Sequence, residues 1–213
     1  PFDYQVTFLR DRNGRIAIRS GRQIGKSTLT AIKALFRAIT KSREQILILS
    51  KSQRQSSLLF AKIREMINSN QILKDEVSRE TMTMLFFKNG SEIHSLPAGH
   101  TGDTARGFSP TLIIIDEAAF VPDPVFTALE PSLAATGGDL WMLSSPYGKR
   151  GRFYDAFVMS GYSTHHVKSE QSPLITKEFL EGQRSRMTDL DFRQEFEGEF
   201  VDDKFNGKGK FTF

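Results

Sequence analysis

The sequence predicts an α/β fold. The expected architecture is a mostly parallel sheet flanked by helices, with a β-hairpin insertion and a small C-terminal helical subdomain. Three observations carry that expectation. Residues 15–28 read as a short strand, a tight loop and the first turn of a helix. Two apolar runs, within residues 45–50 and 111–115, have the unbroken character of strands buried on both faces. Between them Asn89-Gly90 separates two strand-like runs over 81–96, which is a hairpin signal.

The bulk numbers agree. A chain of 213 residues, 38% hydrophobic and 25% charged, allows one sizeable domain or a domain with a short appendage. No apolar run is long enough to span a bilayer and no signal peptide is visible, so no membrane association is expected. Cysteine is absent, which excludes disulfides and thiolate metal sites. The net charge of +4 suits a polyanionic partner, but the excess is too small to argue DNA binding alone.

In chain order, residues 1–14 read as a capping helix with apolar Val6, Phe8 and Leu9, closed by the turn signal Asn13-Gly14. Gln5 is a candidate to read an adenine edge, because a side-chain amide offers both a donor and an acceptor. Ser20-Gly21-Arg22-Gln23-Ile24-Gly25-Lys26-Ser27-Thr28 is close to the phosphate-cradling pattern G-x-x-x-x-G-K-[ST], with Ser20 at the first glycine position. Backbone N–H groups in such a turn point at an anion, and the following helix adds unpaired N–H groups and its positive dipole end. Lys26 is expected to reach the β- and γ-phosphates of ATP, and the Ser27 hydroxyl to ligate Mg²⁺. Leu29, Ile32, Ala34, Leu35, Phe36 and Ile39 then recur at helical spacing.

After the strand at 45–50, a helix is expected over about 52–68. Leu59, Ile63, Met66 and Ile67 stripe its inner face; Lys51, Arg54, Lys62 and Arg64 are read as a solvated face. In the hairpin, Met82, Met84 and Phe86, or their alternates, should pack inward. A glycine-containing loop at 97–103 leads to Thr104-Ala105-Arg106-Gly107. Residues 111–117 are the second strong signal: an apolar strand with two carboxylates at its C-terminal end, the edge where ligands sit in open α/β sheets. Asp116 would hold Mg²⁺ and Glu117 would polarise the attacking water.

Residues 122–135 should be largely helical, interrupted or bent around Pro131. Residues 139–146 read as a core strand ending in Ser144 and Ser145, either a plain strand-to-loop turn or a γ-phosphate sensor. A basic loop (147–152), a helix (about 153–159) and a further strand (163–167) follow. His165 and His166 are adjacent, so on a strand they face opposite ways, which argues against a shared metal. Two helices with Thr N-caps, 176–186 and 188–196, precede a Gly/Lys/Phe-rich tail.

Phosphate loop, then Asp116-Glu117, then Ser144-Ser145 is the order of an ATPase with a strand added between its two nucleotide motifs. Hydrolysis needs a base to orient water and a further cation to meet charge spreading over the equatorial oxygens. Arg106 and Arg22 are the candidates, Arg106 for a neighbouring subunit's nucleotide and Arg22 for its own; the alternative for Arg106 is a structural salt bridge.

At this point the chain resembles the ATPase domain of the large terminase subunit of tailed bacteriophages, the motor that packages genomes. The matching stretches are Phe2-Asp3-Tyr4-Gln5, the loop from Ser20 to Thr28, Thr104-Ala105-Arg106-Gly107, Ile113-Ile114-Ile115-Asp116-Glu117-Ala118 and Leu143-Ser144-Ser145-Pro146. Asp191-Phe192-Arg193-Gln194-Glu195-Phe196 with Gly198-Glu199-Phe200 resembles the family's segment before its nuclease. The resemblance implies a P-loop NTPase of the RecA/ASCE-like kind, an adenine-contacting Gln5, an arginine within the phosphate loop, a finger at Arg106 and a coupling motif at Ser144-Ser145. It also implies an irregular loop, as Ser20 provides. It further implies ATP and Mg²⁺ as cofactors, and double-stranded DNA, a portal protein and the small terminase subunit as partners. The motor would act as a homo-oligomeric ring of five copies on a procapsid in the host-cell cytoplasm, while an isolated fragment could be monomeric. The expected divisions are an ATPase core at 1–168, a helical linker subdomain at 169–200 and, at 201–213, the start of a linker toward a nuclease. Asp202 and Asp203 alone could not assemble a nuclease's two-metal site, so DNA cleavage by this fragment is not expected. The rival readings are a helicase-like remodelling ATPase and a nucleotide-binding regulatory module without turnover.

Overall fold

The computed structural model describes residues 1–202 of the chain. Its strands are β1 (Arg15–Ser20), β2 (Gln45–Ser50), β3 (Val77–Glu80), β4 (Met84–Phe87), β5 (Glu92–Pro97), β6 (Leu112–Asp116), β7 (Asp139–Ser144) and β8 (Ser163–Val167). Its helices are α1 (Asp3–Arg10), α2 (Lys26–Thr40), α3 (Gln53–Asn68), α4 (Gln71–Glu76), α5 (Asp123–Thr136), α6 (Gly151–Val158), α7 (Lys177–Arg184) and α8 (Asp189–Glu195). The strands form one sheet in the order β3-β4-β5-β2-β6-β7-β1-β8. Pairing is parallel from β5 through to β8 and antiparallel only at the β3–β4–β5 edge.

Alternation within the strands builds a core on each face. Ile16, Ile18, Ile46, Ile48 and Ile114 face the layer containing α1, α2 and α3. Ala17, Leu47, Leu49, Ile113 and Ile115 face the layer containing α5 and α6. Both faces are covered, so the inner strands are apolar throughout rather than alternating. β7 lies between β1 and β6, as expected of a strand added between the two nucleotide motifs. Register aligns the strand ends: Arg19 is opposite Ser144, and Asp116 is opposite Leu143. The loops after β1, β6 and β7 therefore leave the sheet at one rim.

Several local expectations are corrected. The hairpin turn forms at Asn89-Gly90, but its second strand, β5, is also an inner parallel strand beside β2, so only β3 and β4 extend the sheet outward. Of the two inward sets the sequence allowed, the structure takes the alternates: Leu85 and Phe87 pack inward, whereas Met82 is 85% exposed. On α2 the buried apolar residues are Leu29, Ala31, Ala34, Leu35 and Ala38, with Thr30 beside them; Ile32 and Phe36 point outward. The expected stripe was too wide, because small alanines let the helix lie close to the sheet and take the central line. Helix α5 runs without interruption through Pro131. Pro131 is exposed, so water can satisfy the carbonyl that loses its backbone partner.

The Thr caps are present: Thr176 accepts from the Phe179 N–H and Thr188 from the Asp191 N–H. His165 and His166 do diverge. His165 Nε2 lies 2.7 Å from Asp11 Oδ2, and His166 Nε2 lies 2.6 Å from the Glu197 carbonyl. Most of the 201–213 segment, including Asp203, lies outside the described residues.

Candidate active site

The phosphate loop is held from three directions. From below, Ser20 ends β1 fully buried, and its hydroxyl donates to the Gly21 carbonyl at 3.0 Å. From the α1 side, the Tyr4 hydroxyl donates to the Ile24 carbonyl at 3.0 Å. From the C-terminal side, the Gly21 N–H donates to Val167, the Arg22 N–H donates to Glu195, and the Ser169 hydroxyl donates to the Arg22 carbonyl. Gly21 is obligatory: an added Cβ would sit 2.3 Å from the Phe196 carbonyl oxygen and from Ser169 Oγ. The loop itself contains two left-handed residues, Gln23 at φ 61° and Gly25 at φ 82°. Gly25 caps α2, whose first residues are Lys26, Ser27 and Thr28. Their N–H groups, near the start of a fifteen-residue helix, are the donors an anion needs.

Across the rim, Asp116 ends β6 and is 6% exposed. Its Oδ1 accepts the Glu117 N–H at 3.0 Å. Burial, and then the neighbouring Glu117 carboxylate, push the Asp116 carboxyl up to about 7, against the opposing pull of Lys26 and that backbone N–H. Glu117 follows at φ 52°, a sparsely populated conformation for a side-chain-bearing residue. Its carboxylate is gripped on both sides: Oε1 is 3.3 Å from Lys26 Nζ, and Oε2 is 3.1 Å from the Ser144 hydroxyl. Ser144 is fully buried and its hydroxyl also lies 2.7 Å from the Ser145 carbonyl. Lys26, Asp116, Glu117 and Ser144 thus meet at one place.

Lys26, Asp116 and Glu117 line a cleft of about 770 Å³, with Arg22, Gln23, Ser27, Phe120 and Ser145 among its walls, while Ser144 lies buried behind Glu117. One wall was not foreseen. Lys51 and α3 residues including Gln55, Leu58 and Lys62 face the cleft, so Lys51 and Lys62 are cleft residues rather than merely a solvated face. Arg64 instead pairs with Glu80. The signal was available in principle, since Lys51 directly follows a buried strand and so stands at the ligand-bearing rim.

The remaining candidates divide. The Arg22 guanidinium pairs with Glu195 at the end of α8, a partner that sequence reading did not identify. Gln5 caps its own helix, its amide oxygen accepting the Phe2 N–H at 3.0 Å, one residue from the Tyr4 anchor. Arg106 does not line this cleft; it follows a 3₁₀ turn (Asp103–Ala105), with its side chain 71% exposed and 3.0 Å from Asp103. A buried carboxylate and a serine hydroxyl at the helix start form a hard-oxygen donor set. They fit a Mg²⁺ ion that keeps most of its shell for water and phosphate oxygens, and the raised Asp116 carboxyl marks a position a cation would relieve. No group of three or more His, Cys, Asp or Glu that could hold a metal by itself exists among the described residues.

Comparison with known proteins agrees with this fold. The family model "Terminase large subunit, T4likevirus-type, N-terminal" matches residues 18–211. The large terminase subunit of Thermus phage G20c is 25% identical over 237 residues, covering 94% of this chain. The chain spans about half the length of the curated relatives it matches. Among solved structures, the large terminase ATPase domain of Thermus phage P74-26 superposes with a TM-score of 0.83 at 24% identity, covering 94% of each chain. The large terminase of another thermophilic bacteriophage, in complex with ATP-γ-S, does so with a TM-score of 0.74 at 15% identity, over 94% of this chain and 53% of that one. With the family model covering most of its length, this chain belongs to the terminase large-subunit family, T4likevirus-type, and corresponds to the N-terminal part of those proteins.

Proposed function

We propose that this chain is a Mg²⁺-dependent ATPase whose turnover drives double-stranded DNA into a procapsid. The observation that carries the reading is the convergence of Lys26, Asp116, Glu117 and Ser144 on one cleft rim. A relative of the same fold is described in complex with ATP-γ-S, which supports a triphosphate as the ligand.

In this reading the α2 N-terminus and Lys26 hold the β- and γ-phosphates. Mg²⁺, when bound through Ser27 and Asp116, supplies charge stabilisation between the phosphates. Glu117 leaves Lys26, which turns to the γ-phosphate, and orients water in line with it. Ser144, bonded to that carboxylate, is placed to register whether Glu117 is engaged, with Ser145 beside it. Gln5 would contact the adenine edge, and Arg22 would add positive charge within the chain's own site. Arg106 would add it to a neighbour's site, which calls for a ring; five copies docked on a portal follow from the family resemblance, with the small terminase subunit as a further partner.

Residues 1–168 would form the motor core and 169–200 the moving helical subdomain. That subdomain meets the phosphate loop directly, since Glu195 pairs with Arg22 and an added Cβ at Gly198 would lie 2.9 Å from the Ser20 carbonyl carbon. Movement would therefore pass through this contact as well as through Ser144 and Ser145. The work would be done in the host cell, and without nuclease activity in this portion. The deciding experiment is Glu117→Gln: ATP hydrolysis falls by about 10³-fold or more while ATP affinity stays near wild type. Wild-type turnover in that variant would refute Glu117 as the base.

A further inference from the structure

Two large, partly exposed aromatic side chains touch each other at the cleft: Phe120 is one of its lining residues, and Tyr147 stands behind it. Phe120 is 37% exposed, Tyr147 is 44% exposed, and their ring centroids are 4.7 Å apart at an interplanar angle of 37°. They come from different loops: one carries the proposed base, and the other follows Ser144, whose hydroxyl bonds that base. Phe120 closes the 3₁₀ turn Ala118–Phe120 that begins at Glu117, and its N–H donates to the Glu117 carbonyl at 3.0 Å. Tyr147 follows Ser144 by three residues, just after the buried Pro146 and before Gly148 at φ 68°. The Arg150 guanidinium lies over the Tyr147 ring, 5.6 Å from its centroid.

We propose that Phe120 and Tyr147 are positioning residues: their packed, mutually tilted rings clasp the Glu117 turn to the Ser144 loop and so set where the Glu117 carboxylate points. The proposal rests on the reading of Glu117 as the hydrolytic base. Its physical logic is one of constraint. Glu117 is held at a left-handed φ of 52°, a conformation that persists only when its surroundings over-determine it. Lys26 and Ser144 fix the carboxylate end of the side chain. The backbone end needs its own anchor, and the Phe120 ring is the large side chain on that turn that reaches the neighbouring loop. Two rigid rings packed 4.7 Å apart set the separation of the two loops more closely than flexible aliphatic side chains would. In-line attack tolerates little misplacement, and a shift of about 1 Å can cost on the order of 10²-fold in rate.

The test is single-turnover ATP hydrolysis by the purified chain, alongside titration with a fluorescent ADP analogue. Phe120→Ala and Tyr147→Ala each slow hydrolysis about tenfold, and Tyr147→Ala, whose ring is not among the cleft's lining residues, leaves nucleotide affinity within about twofold. Tyr147→Phe keeps the ring and keeps the rate. The double variant Phe120→Ala/Tyr147→Ala is no slower than either single one, as expected when each removes the same contact. Phe120→Leu, which keeps apolar bulk without an aromatic face, reproduces the defect should the alanine variant fold poorly. A wild-type rate in the Phe120 variants, losses that multiply in the double variant, or a matching loss of nucleotide affinity in Tyr147→Ala would each overturn the clasp. The underlying reading fails differently: Glu117→Gln would then hydrolyse ATP normally, whereas a dead Glu117→Gln beside a fully active Phe120→Ala sinks the clasp alone.

Discussion

The phosphate loop and the Arg106 segment both carry cationic groups assigned to the same triphosphate chemistry, and they are built in opposite ways. Around the phosphate loop, α1, β8 and the end of α8 all bond to the loop's own backbone. Lys26 is 13% exposed and paired to Glu117. Around Arg106, the anchors are the buried Ala105 and the Thr104 hydroxyl on the Pro97 carbonyl, while the guanidinium stands in solvent beside Asp103, three residues away. The difference matches two jobs. A group that binds ligand within its own chain gains from being oriented in advance, because that ordering is already complete when the ligand arrives. A group proposed to reach across a subunit boundary must stay free to leave its resting partner, and an exposed ion pair worth about 0.2–1 kcal/mol allows that.

The largest expected effect tests whether the phosphate loop depends on its packing. Gly21→Ala forces a methyl group into the Phe196 carbonyl and Ser169. It should destabilise the fold by about 2–4 kcal/mol and weaken ATP binding by at least about tenfold, read by thermal melts and nucleotide titration. A variant of normal stability and affinity would mean that the C-terminal contact is incidental to the loop.

The second effect concerns charge at the same rim. The Asp116 carboxyl is held up at about 7 in the folded chain, against 3.8 for a free aspartate. Between those values the folded state keeps a proton that the unfolded state has released, so stability falls as pH rises through that window and is flat above it. Asp116→Asn removes this dependence. Melts in chelator and without nucleotide should show a stabilising advantage for the asparagine variant. That advantage grows from pH 4 to pH 7.5 and reaches a few kcal/mol. An advantage independent of pH would show that Asp116 is not the strained carboxyl.

The smallest effect on the chain's own site belongs to Arg106. Arg106→Ala should leave its ATP affinity within about twofold, measured by titration, while DNA-stimulated hydrolysis is lost in the assembled motor. A tenfold loss of affinity in the single chain would place Arg106 in its own cleft and erase the contrast between the two regions.

Much of this is legible in the sequence. Gly21, Gly25, Lys26 and Ser27 are adjacent in sequence, so their chemistry declares itself in one short window. The run Leu112–Asp116 with Glu117 declares itself through an apolar strand ending in charge. What stayed hidden depends on partners far along the chain. Nothing local marks Glu195 as the counterion of Arg22, 173 residues earlier. Nothing local marks Lys62 as facing a cleft rather than solvent, or Phe36 as the outward residue on a helix whose alanines take the inner line. The second strand of the hairpin looked like part of an insertion because its turn is a local feature, whereas its pairing with β2 joins strands more than forty residues apart.

The amino-acid order alone determined which backbone segments could cradle an anion, which strands had to be buried on both faces, and where carboxylates would emerge from the sheet. Those properties follow from glycine conformations, side-chain periodicity and capping, all of which act over a few residues. Only the tertiary structure decided that Ser144 would grip Glu117, that Glu195 would hold Arg22, and that Phe120 would meet Tyr147. Those contacts depend on strand order and register, and these are set by burying both sheet faces at once, a condition that no short window of sequence can express.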